Sequence, residues 1–222
     1  MSSDGEFRGS GFFRIDRAKA LEKLSAFQLE RGEQFLLPLA RCAAAAGSGR
    51  LEVKGTTALK AVFTGVPFTR AELADPYGAL FVEDSDPRLR HFSAFLLGVL
   101  RTRPREVAVS SGAGPERFRL RASGLETETV ERDDRRDVGT TVHVRWGALG
   151  WLKSLGPAKD AARRAWEMTP PGFTVDGAPP SAKSVVRLVR RQEAGGLRLR
   201  VQAPEDPGET RVTFCAFGVA VE

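Results

Sequence analysis

The chain carries two histidines, His91 and His143, and two cysteines, Cys42 and Cys215. A nucleophilic hydrolase needs a Ser or Cys within reach of a His that a carboxylate orients. No Ser-His-Asp or Cys-His spacing of that kind is present. A zinc centre needs close-set Cys and His pairs, and neither cysteine has a Cys-x-x-Cys partner. Each cysteine sits among apolar residues, where a thiol acts as a small hydrophobe. His143 alternates with Val142 and Val144, which reads as a solvent-facing strand position. His91 falls in a helical stretch and reads as structural. No catalytic residue and no metal ligand is expected.

Charge is the next candidate for chemistry. The net charge is +6 in 222 residues, and 27 of the 34 basic side chains are arginine. Nucleic-acid binders cluster their charge, whereas these arginines run along the whole chain among Asp and Glu. Aromatics are 8 %, with the single Tyr77, so there is little surface for stacking bases. A solvated basic surface is expected, and nucleic acid is not an expected partner; a basic nucleic-acid binder stays as a second alternative. Hydrophobic residues at 41 % and charged residues at 28 % match ordinary globular usage, which excludes collagen, coiled coil and a wholly disordered chain. No apolar run reaches the roughly 20 residues of a membrane span. MSSDGEFRGS at the N-terminus lacks the apolar stretch of a signal peptide. The chain is therefore expected to be soluble and cytoplasmic, with no membrane partner.

The elements that must position any site follow from periodicity. After a disordered tail over 1–10, Asp16 caps a helix carrying Ala20, Leu21, Leu24 and Phe27. A second helix runs from about Glu33 to Ala46, with Pro38 marking its start or a kink. Leu51–Val53 and Leu59–Phe63 alternate about Gly55-Thr56-Thr57, a β-hairpin. Thr69 and Glu72 form a capping box for a short helix. A further helix spans Arg88–Leu100. Strands are expected at Glu106–Ser110, Arg117–Ala122, Leu125–Val130 and Thr140–Trp146, with the charged stretch Glu131–Gly139 as a connection. A helix over Leu149–Trp166 is expected to break at Gly156-Pro157. Phe173–Val175, Val185–Arg191, Leu197–Gln202 and Arg211–Val221 read as strands.

Helices and strands are partly segregated, which predicts an α+β two-layer sandwich, helices on one face of a mixed, mostly antiparallel sheet. The predicted division is a main domain over 11–168 and a β-rich appendage over 169–222, a short extension or the remnant of a following domain. There Arg187, Arg191, Arg198 and Arg200 alternate with Val and Leu, as in a half-buried sheet with solvated arginines.

Four strings, in this order, resemble the GHKL ATPase superfamily, the Bergerat-type nucleotide domain. More narrowly they are similar to a bacterial group related to the ninety-kilodalton heat-shock chaperones. They are Lys19–Val53, VFTGVPFTRAEL at Val62–Leu73, RHFSAFLLGVL at Arg90–Leu100 and VGTTVHVRW at Val138–Trp146. The resemblance implies the Bergerat fold over about Phe12–Trp146. It further implies that Phe92-Ser93-Ala94-Phe95 matches the helix after the family's glycine-rich lid, and that Gly139-Thr140 enters a sheet strand beside the adenine. If a nucleotide binds, the resemblance places Cys42, Thr64, Gly65, Gly139 and Thr140 around it.

The departures weigh against the family's chemistry. Where the family has a Glu to activate water and an Asn to hold Mg²⁺, the matching positions are Pro38 and Cys42, followed by Ala45 and Ala46. Pro38 cannot be a base, and a thiol is a poor ligand for a hard cation. Thr64 stands where the adenine-binding Asp would be, and Pro67 replaces a glycine. Asp86-Pro87-Arg88-Leu89 occupies the place of the lid glycines, although Arg88 and Arg90 could supply charge to phosphates. No cofactor is expected; ATP with Mg²⁺ is the one the resemblance leaves open. The expected function is a chaperone-like, scaffold or regulatory protein-binding module without ATP hydrolysis, its partner another protein or a second copy. An ATP-binding GHKL enzyme or switch with an unorthodox pocket is the alternative.

Overall fold

The alternating stretches become the strands of one sheet. A computed structural model describes residues 17–27, 32–125, 128–165, 172–179, 188–194, 197–202, 211–216 and 219–220. Seven strands form the main sheet: β1 (Arg50–Lys54), β2 (Ala58–Phe63), β3 (Glu106–Ser111), β4 (Phe118–Ala122), β5 (Glu128–Arg132), β6 (Thr140–Arg145) and β7 (Gly172–Val175). Their order is β5-β4-β3-β6-β2-β1-β7. Only β1 and β7 run parallel; the other neighbours are antiparallel. β6 closes the middle of the sheet, with Val142 opposite Val109 on one side and Ala61 on the other. A second sheet has the order β11-β10-β9-β8. It comprises β8 (Leu188–Ala194), β9 (Leu197–Gln202), β10 (Arg211–Ala216) and β11 (Val219–Ala220).

Because side chains alternate across a strand, each strand of the main sheet sorts its residues onto two faces. Leu51, Val53, Leu59, Ala61, Phe63, Val107, Val109, Val142 and Val144 are all buried on one face. Lys60, Arg121, Glu131 and Arg145 occupy alternate positions and are exposed. Among the described residues five helices accompany the sheet: α1 (Arg17–Phe27), α2 (Leu36–Ala45), α3 (Arg70–Ala74), α4 (Pro87–Arg101) and α5 (Gly150–Ala165). Buried residues of α2, α4 and α5 share a single core cluster with the apolar face. At its centre the Phe35 ring lies 6.4 Å from Phe95 and 6.2 Å from Trp146. Trp146 Nε1 donates to Thr102 Oγ1 at 2.8 Å, so the indole is buried with its N–H satisfied. The result is the expected α+β two-layer sandwich on an open sheet. Among the described residues no helix is long and apolar enough to cross a membrane.

Several expectations need correction. The third meander strand is Glu128–Arg132, not Leu125–Val130. Cross-strand arginines draw Glu131 into the ladder: Arg121 Nε contacts its Oε1 at 3.0 Å. Opposite charges on facing strands stabilise pairing, so the strand takes in Glu131 and Arg132, and the rest of the charged stretch, from Asp133 to Gly139, is the expected connection. α5 does not break at Gly156-Pro157 and contains Pro157. A proline inside a helix costs about 3 kcal/mol, but Leu155, Ala158 and Ala162 are buried on the same helix. Lys159 Nζ also holds Asp176 Oδ1 at 2.6 Å and the Gly55 carbonyl. Pro38 stands in the first turn of α2, close to the start the sequence suggested. It is the third residue after a 3-10 turn over Gly32–Phe35, where its missing N–H has no intrahelical acceptor to lose.

β7 pairs with β1, Phe173 opposite Leu51 and Val175 opposite Val53, so both side chains join the main core. The predicted tail over 1–10, the cap at Asp16 and residues 181–187 lie outside the described residues.

Candidate functional site

The residues singled out in the sequence meet where β2 ends and β6 begins. Phe63 pairs with Thr140, so Thr64 and Gly139 leave the sheet side by side. Gly139 has φ +92°, and a Cβ there would lie 2.7 Å from the Phe63 carbonyl oxygen. Only glycine allows this backbone at that distance. Gly65 is alike: φ is +93°, and a Cβ would lie 2.1 Å from the Ala46 carbonyl oxygen. The next amide, Val66 N–H, donates to that same oxygen at 2.8 Å. The exit of β2 is thereby tied to the end of α2.

Two hydroxyl pairs complete the junction. Ser48 Oγ accepts from Thr64 N–H at 3.1 Å and lies 3.2 Å from Thr64 Oγ1. Ser111 Oγ lies 2.8 Å from Thr140 Oγ1 and accepts from Phe68 N–H at 2.8 Å. Thr140 is 1 % exposed, so its pairing with Ser111 satisfies a hydroxyl that burial would otherwise leave costly. Thr64 and Gly65 are exposed. Thr64, Gly65, Gly139 and Thr140 are therefore brought together. Cys42 is not at their surface. It lies one turn before Ala46, fully buried in the core cluster. Burial pushes its thiol far above the ordinary value, against a smaller opposing effect of Arg88, so the thiol stays protonated and unreactive.

Neither Arg88 nor Arg90 presents a free guanidinium. Arg88 is almost buried, with Nη2 2.6 Å from Glu72 Oε1, Nε 3.3 Å from Asp86 Oδ2 and Nη1 3.1 Å from the Pro67 carbonyl. Its guanidinium carbon stands 4.8 Å from the Phe68 ring centroid, and Phe68 packs on Phe92 at 4.3 Å. Both of its acidic partners also cap helices. Glu72 completes the capping box with Thr69 at α3, and Asp86 Oδ1 accepts from Arg88 N–H at the start of α4. Arg90 bonds Ser85 Oγ and the Glu83 carbonyl. The two histidines stand elsewhere. His91 on α4 is held neutral: burial, then Arg41 and Arg90, lower its pKa to about 4. His143 sits half-buried on the open face, where burial, Lys60, Arg135 and Arg119 lower its pKa.

One organising residue was missed. Arg117 precedes β4 and its side chain is 0 % exposed. Its Nε bonds Asp133 Oδ2 at 3.0 Å. Nη1 lies 3.0 Å from the Gly112 carbonyl, 2.9 Å from that of Asp137 and 2.8 Å from that of Gly139. Its two hydrogens are shared among three acceptors, all in the loops flanking β3 and β6. Nη2 is buried without a hydrogen-bond partner among the described residues. Asp133 Oδ1 bonds Arg119 Nη2. Burial raises the Asp133 pKa, but hydrogen bonds from Ser110 and Arg117 and the charges of Arg119 and Arg117 together outweigh it and hold the carboxyl below its ordinary value. The available signal was Arg117 and Arg119 set against Glu131 and Asp133, charges that a meander register brings face to face.

The junction is a network of satisfied hydroxyls and amides. Among the described residues the hydrogen bonds of the Ser48, Thr64, Ser111 and Thr140 side chains involve hydroxyls and backbone groups, not a carboxylate or imidazole. Among the described residues no three His, Cys, Asp or Glu side chains gather to hold a metal ion. Compared with known protein families and with curated proteins, the chain matches none of them.

Proposed function

We propose that this chain is a protein-binding module, chaperone-like, scaffold or regulatory in role, built on a degenerate GHKL-type fold and working without ATP hydrolysis. Four stretches far apart in sequence support the resemblance by converging at one end of the sheet. They are the end of α2, the β2–α3 connection, the start of α4 and the start of β6. The observation that carries the reading is what occupies the two positions on which the family's hydrolysis depends. Pro38 and Cys42 are both buried in α2, one with no titratable group and the other with its thiol held protonated. A general base must reach the attacking water and accept its proton, and neither residue does. Arg88, in the first turn of α4, is spent on Glu72, Asp86 and Pro67.

Val66 and Val138, on the two chain segments that leave the sheet side by side, are 58 % and 72 % exposed, an apolar rim suited to a protein partner or a second copy. The alternative, a nucleotide switch, draws on the exposure of Thr64 and Gly65 where the family reads adenine. Phosphate release from Mg-ATP separates the two. The module reading expects no turnover above buffer, and sustained release by pure protein that Thr64→Arg abolishes would overturn it.

A further inference from the structure

At the opposite end of the main sheet, on its solvent face, a cleft of about 340 Å³ is lined by Arg105, Glu106, Arg121, Ser123, Thr129 and Arg145. We propose that this cleft binds the phosphoryl group of a small phosphorylated molecule. The register builds it. Glu106 and Arg145 are opposite each other on β3 and β6, and Arg105 N–H donates to the Arg145 carbonyl at 2.7 Å. Arg121 and Thr129 face each other on β4 and β5.

The three guanidiniums are unequally engaged. Arg121 is engaged by Glu131 Oε1 at 3.0 Å and Glu106 Oε1 at 3.2 Å. Arg145 reaches Glu106 Oε2 only at 3.6 Å, beyond a good hydrogen bond, and its side chain is 64 % exposed. Arg105 is exposed and has no acidic partner among the described residues. Arg105, in the bend before β3, and Arg145, at the end of β6, thus keep most of their N–H donors, in a cleft whose described lining sets three guanidiniums against the one carboxylate of Glu106.

The chemistry of the donors selects the ligand. Each guanidinium offers a planar fork matched to two oxygens of one anion. A carboxylate has two oxygens and one charge, enough for one fork. A phosphate monoester presents three terminal oxygens and up to two charges, enough for both. The volume is near the lower end of small-ligand clefts, about 300–1,000 Å³, so it has room for a short organic group beside the phosphate. The site stands apart from the β2–β6 junction, and its test is independent of the module reading.

Glycerol 3-phosphate is the probe, acetate the control, and amide chemical shifts of the whole chain the readout at low ionic strength. Glycerol 3-phosphate is expected to shift the amides of Arg105, Glu106 and Arg145 saturably, with binding at least about tenfold tighter than acetate. Arg105→Gln with Arg145→Gln should weaken it by about tenfold or more while leaving the unfolding midpoint in place, since both side chains are exposed. Arg105→Lys, which keeps the charge and loses the fork, should weaken it several-fold. Shifts absent at millimolar probe, equal for acetate, or unchanged in the double variant would overturn the site.

Discussion

Arg117 and Asp133 form an ion pair closed off from water, Nε to Oδ2 at 3.0 Å, with side chains 0 % and 3 % exposed. The same guanidinium reaches the carbonyl of Gly139, so the pair fixes the turn that delivers Gly139 and Thr140 to the sheet. Breaking a buried pair costs about 3–5 kcal/mol; Arg119 would still hold Asp133 Oδ1, but loss of the Arg117 guanidinium also strands the carbonyls of Gly112, Asp137 and Gly139. Arg117→Met is expected to lower unfolding stability by about that amount, measured by urea denaturation with the slope unchanged. A loss under about 1 kcal/mol, as for a surface pair, would show that the pair is not the clamp described.

Acid sensitivity has a different origin. His91 has its folded pKa lowered to about 4 from an ordinary 6.5. Between those values the unfolded chain binds a proton that the folded chain refuses, so stability falls as pH drops from about 6.5 to 4. Fully expressed, the effect is at most about 3 kcal/mol, and partial exposure reduces it. His91→Gln should flatten the pH dependence of the thermal midpoint in that window. Asp133 acts lower. Its folded pKa lies below the ordinary 3.8, so its stabilisation is present above that value and fades as pH falls through the folded one. An unaltered midpoint curve in His91→Gln would remove His91 from the account.

The two close-approach glycines make a sharp contrast with their neighbour. Gly139→Ala and Gly65→Ala each force a Cβ onto a carbonyl oxygen at positive φ, and each should cost at least about 2 kcal/mol. Thr64→Arg, at an exposed position, gives up only the 3.2 Å contact of its hydroxyl with Ser48 Oγ and should cost no more than about 1 kcal/mol. Thermal unfolding of the three variants tests the geometry of the junction.

How much of this was legible follows from which forces were local. The capping box at Thr69 and Glu72 and the hairpin at Leu51–Phe63 were readable because each depends on neighbours in sequence. The convergence of Thr64, Gly65, Gly139 and Thr140 was placed only through resemblance. Their contacts are backbone approaches between distant segments, which no periodicity encodes. The burial of Cys42 was legible in its apolar neighbours, whereas its place beside a nucleotide came only from the resemblance. Arg117 escaped because its partners are mostly carbonyl oxygens, and any residue can supply those. Pro157 shows tertiary packing overriding a local rule.

Arg88 gives the fourth test. It joins the caps of α3 and α4 through Glu72 and Asp86. Arg88→Leu keeps the packing on Phe68 but strands Glu72 and the Pro67 carbonyl, and should cost about 2 kcal/mol. Amide exchange should quicken first at the starts of both helices. Faster exchange at α4 alone would break the proposed link.

The most direct measurement is a calorimetric titration of ATP into the protein, with and without Mg²⁺. An α2 that carries Pro38 and Cys42 and an Arg88 already paired predict no saturable heat up to millimolar nucleotide and no Mg²⁺ effect. A saturable, Mg²⁺-dependent isotherm at micromolar nucleotide, lost in Thr64→Arg, would contradict the account and make the junction a nucleotide site.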